Sequence, residues 1–297
     1  MRFNPNLNAA VTSDIQQSEQ ALQTALQQVS TGQRVNSPSD NPSVSAAYIE
    51  LQSQAANVDQ YTTNANSALS QAQLSDSVVT SVVSLLNQAI TLGTEGANST
   101  NSASDLQSIA ADVQGLISNV VGLANTTYQG VSLFGGTANG QAAFTADSSS
   151  PTGYTYNGNS GINNISVGDS LTVQANIPGS TLFENSSGSV LGSLSSLATA
   201  LQSGTSAQIG AATTAVTSAL NYVTAQHAVY GNAINQLNSQ ETYLSQEKVT
   251  LTSQENSLVG IDAATAAENL TQAETANSSV LAAAAKVIQN SLLTYLQ

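Results

Sequence analysis

The chain contains one histidine, His227, and no cysteine, so few side chains could serve as a nucleophile, a base or a metal ligand. His227 lies in a helical pattern with no acidic residue within one turn, and the sequence contains no G-x-S-x-G motif. A Ser-His-Asp site is therefore not predicted. The absence of cysteine also excludes disulfides, thiolate zinc sites and side-chain redox chemistry, which leaves carboxylates as the candidate metal ligands.

The carboxylates are scattered. Glu241, Glu247 and Glu255 fall on one predicted helix, where exposure to solvent is the ordinary interpretation. Asp169, in the sequence Val-Gly-Asp-Ser, is typical of a hairpin turn. A hydrolase with paired carboxylates is thus not favoured.

Nucleotide binding is not predicted either. A Walker A loop needs a lysine after a glycine, whereas Lys248 follows Glu247 and Lys286 follows Ala285. The glycine-rich stretch at residues 158–161 is not followed by the helix that a phosphate loop requires. We therefore predict no enzymatic activity, no cofactor and no metal.

The composition excludes several kinds of partner. Charged residues make up 7% of the 297 residues, against about 25% in an ordinary domain. The net charge is −14, with only 4 Lys and Arg, which argues against nucleic acid and against anionic membranes. No window approaches about 18 consecutive apolar residues, so no membrane insertion is predicted. Residues 1–6 lack an apolar segment, and we expect no cleaved signal peptide.

The two flanks of the chain have helical periodicity. Apolar and small residues alternate at steps of three and four over residues 47–89 and again over residues 209–258. Ser102 and Asp105 form a capping box before a third stripe that reaches Thr127. At 1.5 Å per residue, the two long helices would each span roughly 70 to 80 Å, which predicts a rod.

The centre differs from the flanks. Residues 128–204 are rich in Gly, Ser, Asn and Thr, with short β-branched or aromatic runs. Those runs are residues 143–145, 154–156, 165–167 and 171–173. The predicted fold is mainly α: a long coiled-coil rod of antiparallel helices from both chain ends, with a small β-rich central insert.

Two weaker heptad stripes lie at the chain ends. The first runs from Val11 to Val29 and is ended by Gly32; the second runs from Ala266 to Ser291 and is opened by Gly260 and Asp262. About half of their positions are Ala, Ser or Asn, so we expect each segment to be disordered until neighbouring chains pack against it. The predicted assembly interface consists of Val11, Ile15, Leu22, Val29, Leu270, Val280, Leu281, Val287, Ile288, Leu292, Leu293 and Leu296.

A proline-containing segment separates the first stripe from the long helix that follows it. Pro38, Asp40, Asn41 and Pro42 are predicted to fix a bend there. Two interpretations stay open: a capped structural hinge, and a role specific to a partner.

Four passages together resemble the flagellin superfamily, and within it the subfamily of the hook-filament junction, hook-associated protein 3. Residues 29–42, V-S-T-G-Q-R-V-N-S-P-S-D-N-P, are similar to that family's S-T/S-G-x-R-I-x-x-P-S-D-D-P, with Asn41 in place of the second Asp. Residues 128–136 and 179–201 resemble the passages into and out of the family's variable domain. The final S-L-L-T-Y-L is similar to S-L-L-D-Y-L, with Thr294 in place of Asp.

The resemblance implies a structural protein of the bacterial flagellum, exported by the flagellar type III route without cleavage and located outside the cell. It implies a ring between hook-associated protein 1 and the filament. The implied partners are further copies of the chain, hook-associated protein 1, flagellin and a flagellar export chaperone. The expected domains are residues 1–42 with 260–297, residues 43–135 with 202–259, and the insert at 136–201.

Two alternatives to the junction ring stay open. In one, the chain is a flagellin that polymerises as the filament itself. In the other, it is a secreted adhesin-like module whose insert binds a ligand through Tyr154 and Tyr156, although two hairpin tyrosines more often pack against neighbouring strands.

Overall fold

A computed structural model of the 297-residue chain describes the backbone of residues 5–138, 140–184 and 189–295, and their side chains except those of residues 5–8 and 288–295. Helices dominate it. They are α1 (Pro5–Thr31), α2 (Pro42–Gly96), α3 (Ala103–Ala124), α4 (Gly179–Leu182), α5 (Val190–Ser203), α6 (Ser206–Val259) and α7 (Ala263–Tyr295).

Six short strands form three separate antiparallel pairs. They are β1 (Thr127–Tyr128), β2 (Val131–Ser132), β3 (Phe144–Ala146), β4 (Tyr154–Tyr156), β5 (Asn164–Ser166) and β6 (Thr172–Gln174). β1 pairs with β2, β3 with β4 and β5 with β6. The predicted fold class, long helices from both chain ends with a small insert of short strands, is thus confirmed.

The chain folds as two units, each built from segments that are distant in sequence. The terminal unit consists of residues 1–58 and 246–297, and the central unit of residues 59–245. α1 and α7 pack against each other in the terminal unit. In the central unit α3 packs against α5, and the middle of α2 and the first part of α6 contribute further buried residues.

The stripes predicted for the long helices coincide with the buried positions of the central unit. In α2 the buried residues at this spacing are Ala65, Ala68, Ala72, Ser75, Val79, Val82, Leu86 and Ala89. In α6 they are Ile209, Ala212, Val216, Ala219, Val223, Tyr230, Leu237 and Leu244. α2 also contains an 18-residue window with a mean hydropathy of 1.3, the length and composition of a membrane span. Because its buried positions recur at the heptad spacing, we interpret α2 as a core helix of a helical protein.

The capping box predicted at Ser102 and Asp105 is present: the Ser102 side chain accepts a bond from the Asp105 N–H, and the Asp105 carboxylate accepts one from the Ser102 N–H. The helix that it starts is shorter than predicted, because α3 ends at Ala124 and Thr127 lies in β1. The physical reason is Asn125, whose side-chain amide donates to the carbonyl of Phe144 and accepts from its N–H, both at 2.8 Å. These two bonds hold the chain in a turn beside β3.

Besides its short strands, the central region contains a helix that the sequence analysis did not predict. The last part of this region forms α5, an amphipathic helix whose hydroxyl N-cap, Ser189, accepts a bond from the Gly192 N–H at 3.0 Å. The buried face of α5 is Val190, Leu191, Ser193, Leu194, Leu197, Ala198 and Leu201.

Three buried phenylalanines join the strands to the helices. Phe134 and Phe144 each pack edge-to-face against Phe183, with ring centroids 5.3 and 5.6 Å apart. Tyr156 packs against Phe144 at 5.1 Å and donates its hydroxyl to the carbonyl of Phe134 at 2.8 Å. Tyr156, considered above as a ligand contact, therefore closes a small core, and Tyr154 is half-buried on the same strand.

Candidate assembly site

The terminal helices α1 and α7 form an antiparallel pair with a thin seam. The least exposed residues follow the predicted stripes from Val11 to Ala25 in α1 and from Ala266 to Val287 in α7. Among the described side chains of α1, only Ala25 is fully buried, and in α7 only Ala266 and Ala284 are. The other described stripe positions are half-buried except Val29, which is exposed, so this pair buries little apolar area for its length.

A polar pair lies within that seam. The hydroxyl of Ser18 donates to Oδ1 of Asn277 at 3.0 Å, and both side chains are half-buried. Further along the pair, one groove is lined by Ala21, Thr24, Ala25, Gln28, Asn269, Gln272, Ala273 and Ala276. The small side chains on both walls leave this groove shallow and open.

The predicted interface residues divide into three groups: half-buried, exposed, and outside the described side chains. Val11, Ile15, Leu22, Leu270, Val280 and Val287 are half-buried along the α1–α7 seam, so they contribute to pairing within the chain. Val29 and Leu281 are 45% and 46% exposed, as is Leu26 at 49%. Leu296 lies outside the described residues, as do the side chains of Ile288, Leu292 and Leu293.

The linker that follows α1 and the linker that precedes α7 pair with each other. Gln33 and Gly260 form an antiparallel bridge, and the N–H of Ile261 donates to the carbonyl of Gly32 at 3.0 Å. Gly32 ends α1 with a left-handed backbone, φ +68°, and its N–H donates to the carbonyl of Gln28 at 3.0 Å. Asp262 begins α7: its carboxylate accepts bonds from two backbone N–H groups in the first turn.

Arg34 caps the C-terminus of α6. Its backbone N–H donates to the carbonyl of Val259 at 2.6 Å, and its guanidinium donates to the carbonyl of Leu258 at 3.2 Å. Carbonyl groups at a helix C-terminus lack partners within the helix, and a cation there also interacts favourably with the helix dipole. Sequence reasoning missed this role, because nothing local to Arg34 indicates a partner 224 residues away.

The residues predicted as a hinge form a tight, hydrogen-bonded turn. The Asp40 carboxylate accepts bonds from the N–H groups of Asn36 and Ser37 at 3.0 and 2.9 Å, and these bonds lower the pKa of Asp40. The side chain of Asn41 accepts a bond from the Val44 N–H at 3.2 Å. Asn41 thus caps α2, and Pro42 occupies its first position, where no N–H is needed. Pro38 is exposed within the turn.

His227 has an acidic neighbour that the sequence did not indicate. Its Nε2 lies 2.7 Å from Oδ1 of Asp76, on α2, and 3.4 Å from the hydroxyl of Thr80. A catalytic triad uses both ring nitrogens of the histidine, one toward the acid and one toward the nucleophile. Because the acid and the hydroxyl here meet the same nitrogen, this cluster lacks the geometry of a triad.

The β5–β6 hairpin is held by polar bonds from two helices, which the sequence also did not indicate. The side chains of Asn64 on α2 and Gln240 on α6 donate to the carbonyls of Ser166 and Val167, both at 2.8 Å. The Tyr61 hydroxyl donates to the Asp169 carboxylate at 3.0 Å, and this bond raises the pKa of Tyr61. Asp169 is therefore a turn residue with a structural partner. Within the described part of the chain, no group of three His, Asp or Glu side chains could hold a metal ion.

Two family models match the chain. The bacterial flagellin N-terminal helical region matches residues 3–139, and the bacterial flagellin C-terminal helical region matches residues 213–296. Together they span more than half of the chain. The chain belongs to the flagellin family. Members of this family are structural proteins of the flagellum, which lies outside the cell.

Curated relatives of this flagellin-family protein match over part of their length. A flagellin of Salmonella rubislaw is 32% identical over 106 residues, which cover 36% of this chain and 22% of the relative. Flagellin A of Vibrio cholerae is 30% identical over 154 residues, which cover 50% of this chain and 40% of the relative. The matches thus span well under half of the length of these relatives.

Solved structures share the fold over most of the chain. A flagellar hook-associated protein from Vibrio parahaemolyticus superposes with a TM-score of 0.68 at 19% identity, covering 74% of this flagellin-family chain and 100% of the other. Flagellar hook-associated protein 3 from Legionella pneumophila gives 0.64 at 14%, covering 70% and 98%. Bacillus cereus FlgL gives 0.60 at 23%, covering 70% and 99%.

Proposed function

We propose that this chain is a subunit of the hook-filament junction, where copies of it form a ring between hook-associated protein 1 and the filament. Three features support the proposal. The chain belongs to the flagellin family, its fold resembles hook-associated proteins, and its closing S-L-L-T-Y-L and its P-S-D-N-P turn are similar to the junction subfamily.

The observation that carries the proposal is the incomplete burial of the terminal helices. The α1–α7 seam buries three alanines fully, while Leu26, Val29 and Leu281 remain exposed on the outer faces of the pair. An isolated pair with so small a buried apolar area does not offset the entropy of ordering two long helices. Neighbouring chains that cover these outer faces would supply the missing contacts.

The same reasoning assigns roles to the parts of the chain. Residues 1–42 with 260–297 form the assembling segment and are disordered before assembly, residues 43–135 with 202–259 form the helical support, and residues 136–201 form the insert. The turn at Pro38, Asp40, Asn41 and Pro42 is a capped hinge between the first two. The implied partners are hook-associated protein 1, flagellin and an export chaperone, with export by the type III route.

Complementation of a strain that lacks the gene tests the assembly surface. Leu281→Asp places a charge on an exposed position, so it should leave the helical circular dichroism and the secretion of the chain unchanged. It should nevertheless prevent filament attachment, because burying an unpaired carboxylate in a subunit contact is unfavourable. The matched control is Ile162→Asp, another exposed aliphatic residue, 50% accessible, located in the insert. Normal filaments in the Leu281→Asp strain would contradict the proposed surface.

The alternative in the same structural class is a flagellin that forms the filament itself. It is favoured by the 32% identity to Salmonella flagellins. The two functions differ in one simple property of the purified chain. A filament protein elongates into long polymers by itself, whereas a junction subunit does not.

A further inference from the structure

Ser18 on α1 and Asn277 on α7 form a polar contact across the seam of the terminal helix pair, and its position bears on the register of the two helices. Ser18 and Asn277 both occupy stripe positions, where their neighbours along each helix are aliphatic. The Ser18 hydroxyl donates to Oδ1 of Asn277 at 3.0 Å and also lies 2.9 Å from the carbonyl of Ile15. The bond between Ser18 and Asn277 therefore marks one level along the two helices.

The aliphatic positions alone specify the pairing weakly. Because the stripes repeat every seven residues, sliding one helix past the other by a heptad, about 10 Å, again places aliphatic side chains opposite each other. Many of these side chains are small, including Ala25, Ala266, Ala273 and Ala284. The apolar area buried thus changes little between neighbouring registers.

A slide of one heptad separates Ser18 from Asn277. Counting along the antiparallel stripes, a shift of seven residues in one direction brings Ser18 level with Leu270 and Asn277 level with Val11. A shift in the other direction brings Ser18 level with Ala284 and Asn277 level with Ala25. In either case the amide loses its partner in a half-buried seam, which is costly compared with keeping the bond. A single polar residue at a seam position is known to select the register of paired helices at a cost in stability.

We propose that the Ser18–Asn277 pair sets the register of α1 against α7. The register in turn sets the levels at which Leu26, Val29 and Leu281 are presented to a neighbouring subunit. Only this second consequence rests on the proposed function. The register itself is a contact within one chain, between α1 and α7, and it forms when these two helices become ordered.

Cysteine cross-linking measures the register directly, because the natural chain has no cysteine. One cysteine replaces Ala276, and a second replaces Asp14, Ala21 or Gln28, which lie one heptad apart on α1. Ala21 and Ala276 line the same groove, so this combination reports the observed register. The other two combinations report a slide of one heptad in either direction. The rates of disulfide formation are measured on the dilute full-length chain and on the chain assembled in flagella.

The natural pair should favour the Ala21 combination by about tenfold or more, the ratio that corresponds to one unpaired polar group. Ser18→Ala and Asn277→Leu should bring the three rates toward equality. Asn277→Leu should at the same time raise the melting temperature of the terminal helices, because an aliphatic side chain replaces a half-buried amide in the seam. Exchanging the two residues, Ser18→Asn with Asn277→Ser, should restore the ratio. Ser278→Ala is the matched control, since its hydroxyl bonds within α7.

Equal rates for the three combinations with the natural pair present, in both preparations, would overturn the proposal. So would an unchanged ratio in Asn277→Leu. A contact that merely stabilised the helices would lower the melting temperature in Asn277→Leu and leave the ratio intact. Failure of the junction function would instead appear as normal register with the chain absent from the hook-filament boundary, so the two failures are distinguishable.

Discussion

Arg34 and Val259 are joined by a backbone hydrogen bond of 2.6 Å, from the N–H of Arg34 to the carbonyl of Val259. This bond brings the linker after α1 against the end of α6. Together with the bridge between Gln33 and Gly260, it brings the linker that follows α1 and the linker that precedes α7 to the same place. Both terminal segments therefore start from one anchored point.

Replacing Arg34 separates the contribution of its side chain to stability from that of its backbone hydrogen bond. Arg34→Ala removes the guanidinium bond to Leu258 and the favourable interaction with the α6 dipole, but it keeps the backbone bond. Because this hydrogen bond is exposed to solvent, we expect a loss of about 0.5 to 1 kcal/mol. Arg34→Lys should retain most of the charge effect. Denaturant unfolding at low and high salt checks this, and a loss in Arg34→Ala that high salt does not reduce would contradict it.

Substitution of Gly32 should destabilise the chain because of its backbone conformation alone. A Cβ added there meets no atom within 4 Å, yet φ is +68°, a region that costs other residues about 1 to 2 kcal/mol. Gly32→Ala should therefore destabilise the end of α1, as seen by faster amide exchange there. Gly231→Ala is the control: it lies inside α6, also in open space, and should stabilise by up to about 1 kcal/mol. Equal effects of the two substitutions would contradict this interpretation.

Tyr230 links α6 to the chain after β6. Its buried hydroxyl accepts a bond from the Ile177 N–H at 3.2 Å, and burial raises the pKa of Tyr230 to about 12. Tyr230→Phe leaves that buried N–H unpaired, so we expect a loss of about 1 to 3 kcal/mol in the free energy of unfolding, measured with denaturant. Tyr243→Phe, at a position 59% exposed on the same helix, should change stability by less than about 0.5 kcal/mol.

The raised pKa of Tyr230 also predicts a dependence on alkaline pH. The contribution of the neutral hydroxyl is fully present below pH 10 and is lost as the pH rises from about 10 to about 12. The stability difference between the natural chain and Tyr230→Phe should shrink over that range. A difference that stayed constant would contradict the buried environment of this hydroxyl.

The lowered pKa of Asp147 predicts a stability that falls with decreasing pH, whereas the raised pKa of Tyr230 predicts one that falls with increasing pH. Its carboxylate accepts bonds from the Ser149 hydroxyl, the Thr155 hydroxyl and the Ser149 N–H, which lower its pKa from 3.8 to about 2. These bonds stabilise the β3–β4 turn above about pH 4 and are lost as the pH falls toward 2. NMR titration of the Ser149 amide should show a midpoint near the lower value, and Asp147→Asn should abolish the transition. A midpoint at the ordinary aspartate pKa of 3.8 would show that these hydrogen bonds do not stabilise the carboxylate.

The helices and their buried faces were largely predictable, because heptad spacing is a local property. The stripe predicted for α2 contains Ala65, Val79 and Leu86, all of which are buried. α5 was missed although its signal was present: Leu191, Leu194, Leu197 and Leu201 recur at steps of three and four after the N-cap residue. The surrounding Gly and Ser residues made this segment resemble the strands before it.

The contacts between distant elements could not be predicted. Asn64 and Ser166 are 102 residues apart, and the periodicity of α2 indicates which face is buried but not which carbonyl lies beside it. The same holds for Arg34 with Leu258. The stripes at the chain ends predicted most of the residues of α1 and α7 that lie in the seam, with the exposed Val29 as an exception. The level at which Ser18 meets Asn277 required the structure.

Immunogold electron microscopy of intact flagella, with antibody against the insert at residues 136–201, would show directly where this chain lies in the flagellum. We expect a single band of label where the hook meets the filament, and filaments that detach when the gene is deleted. Label distributed along the whole filament would show that the chain is the filament protein, and flagella without label would contradict a flagellar location altogether.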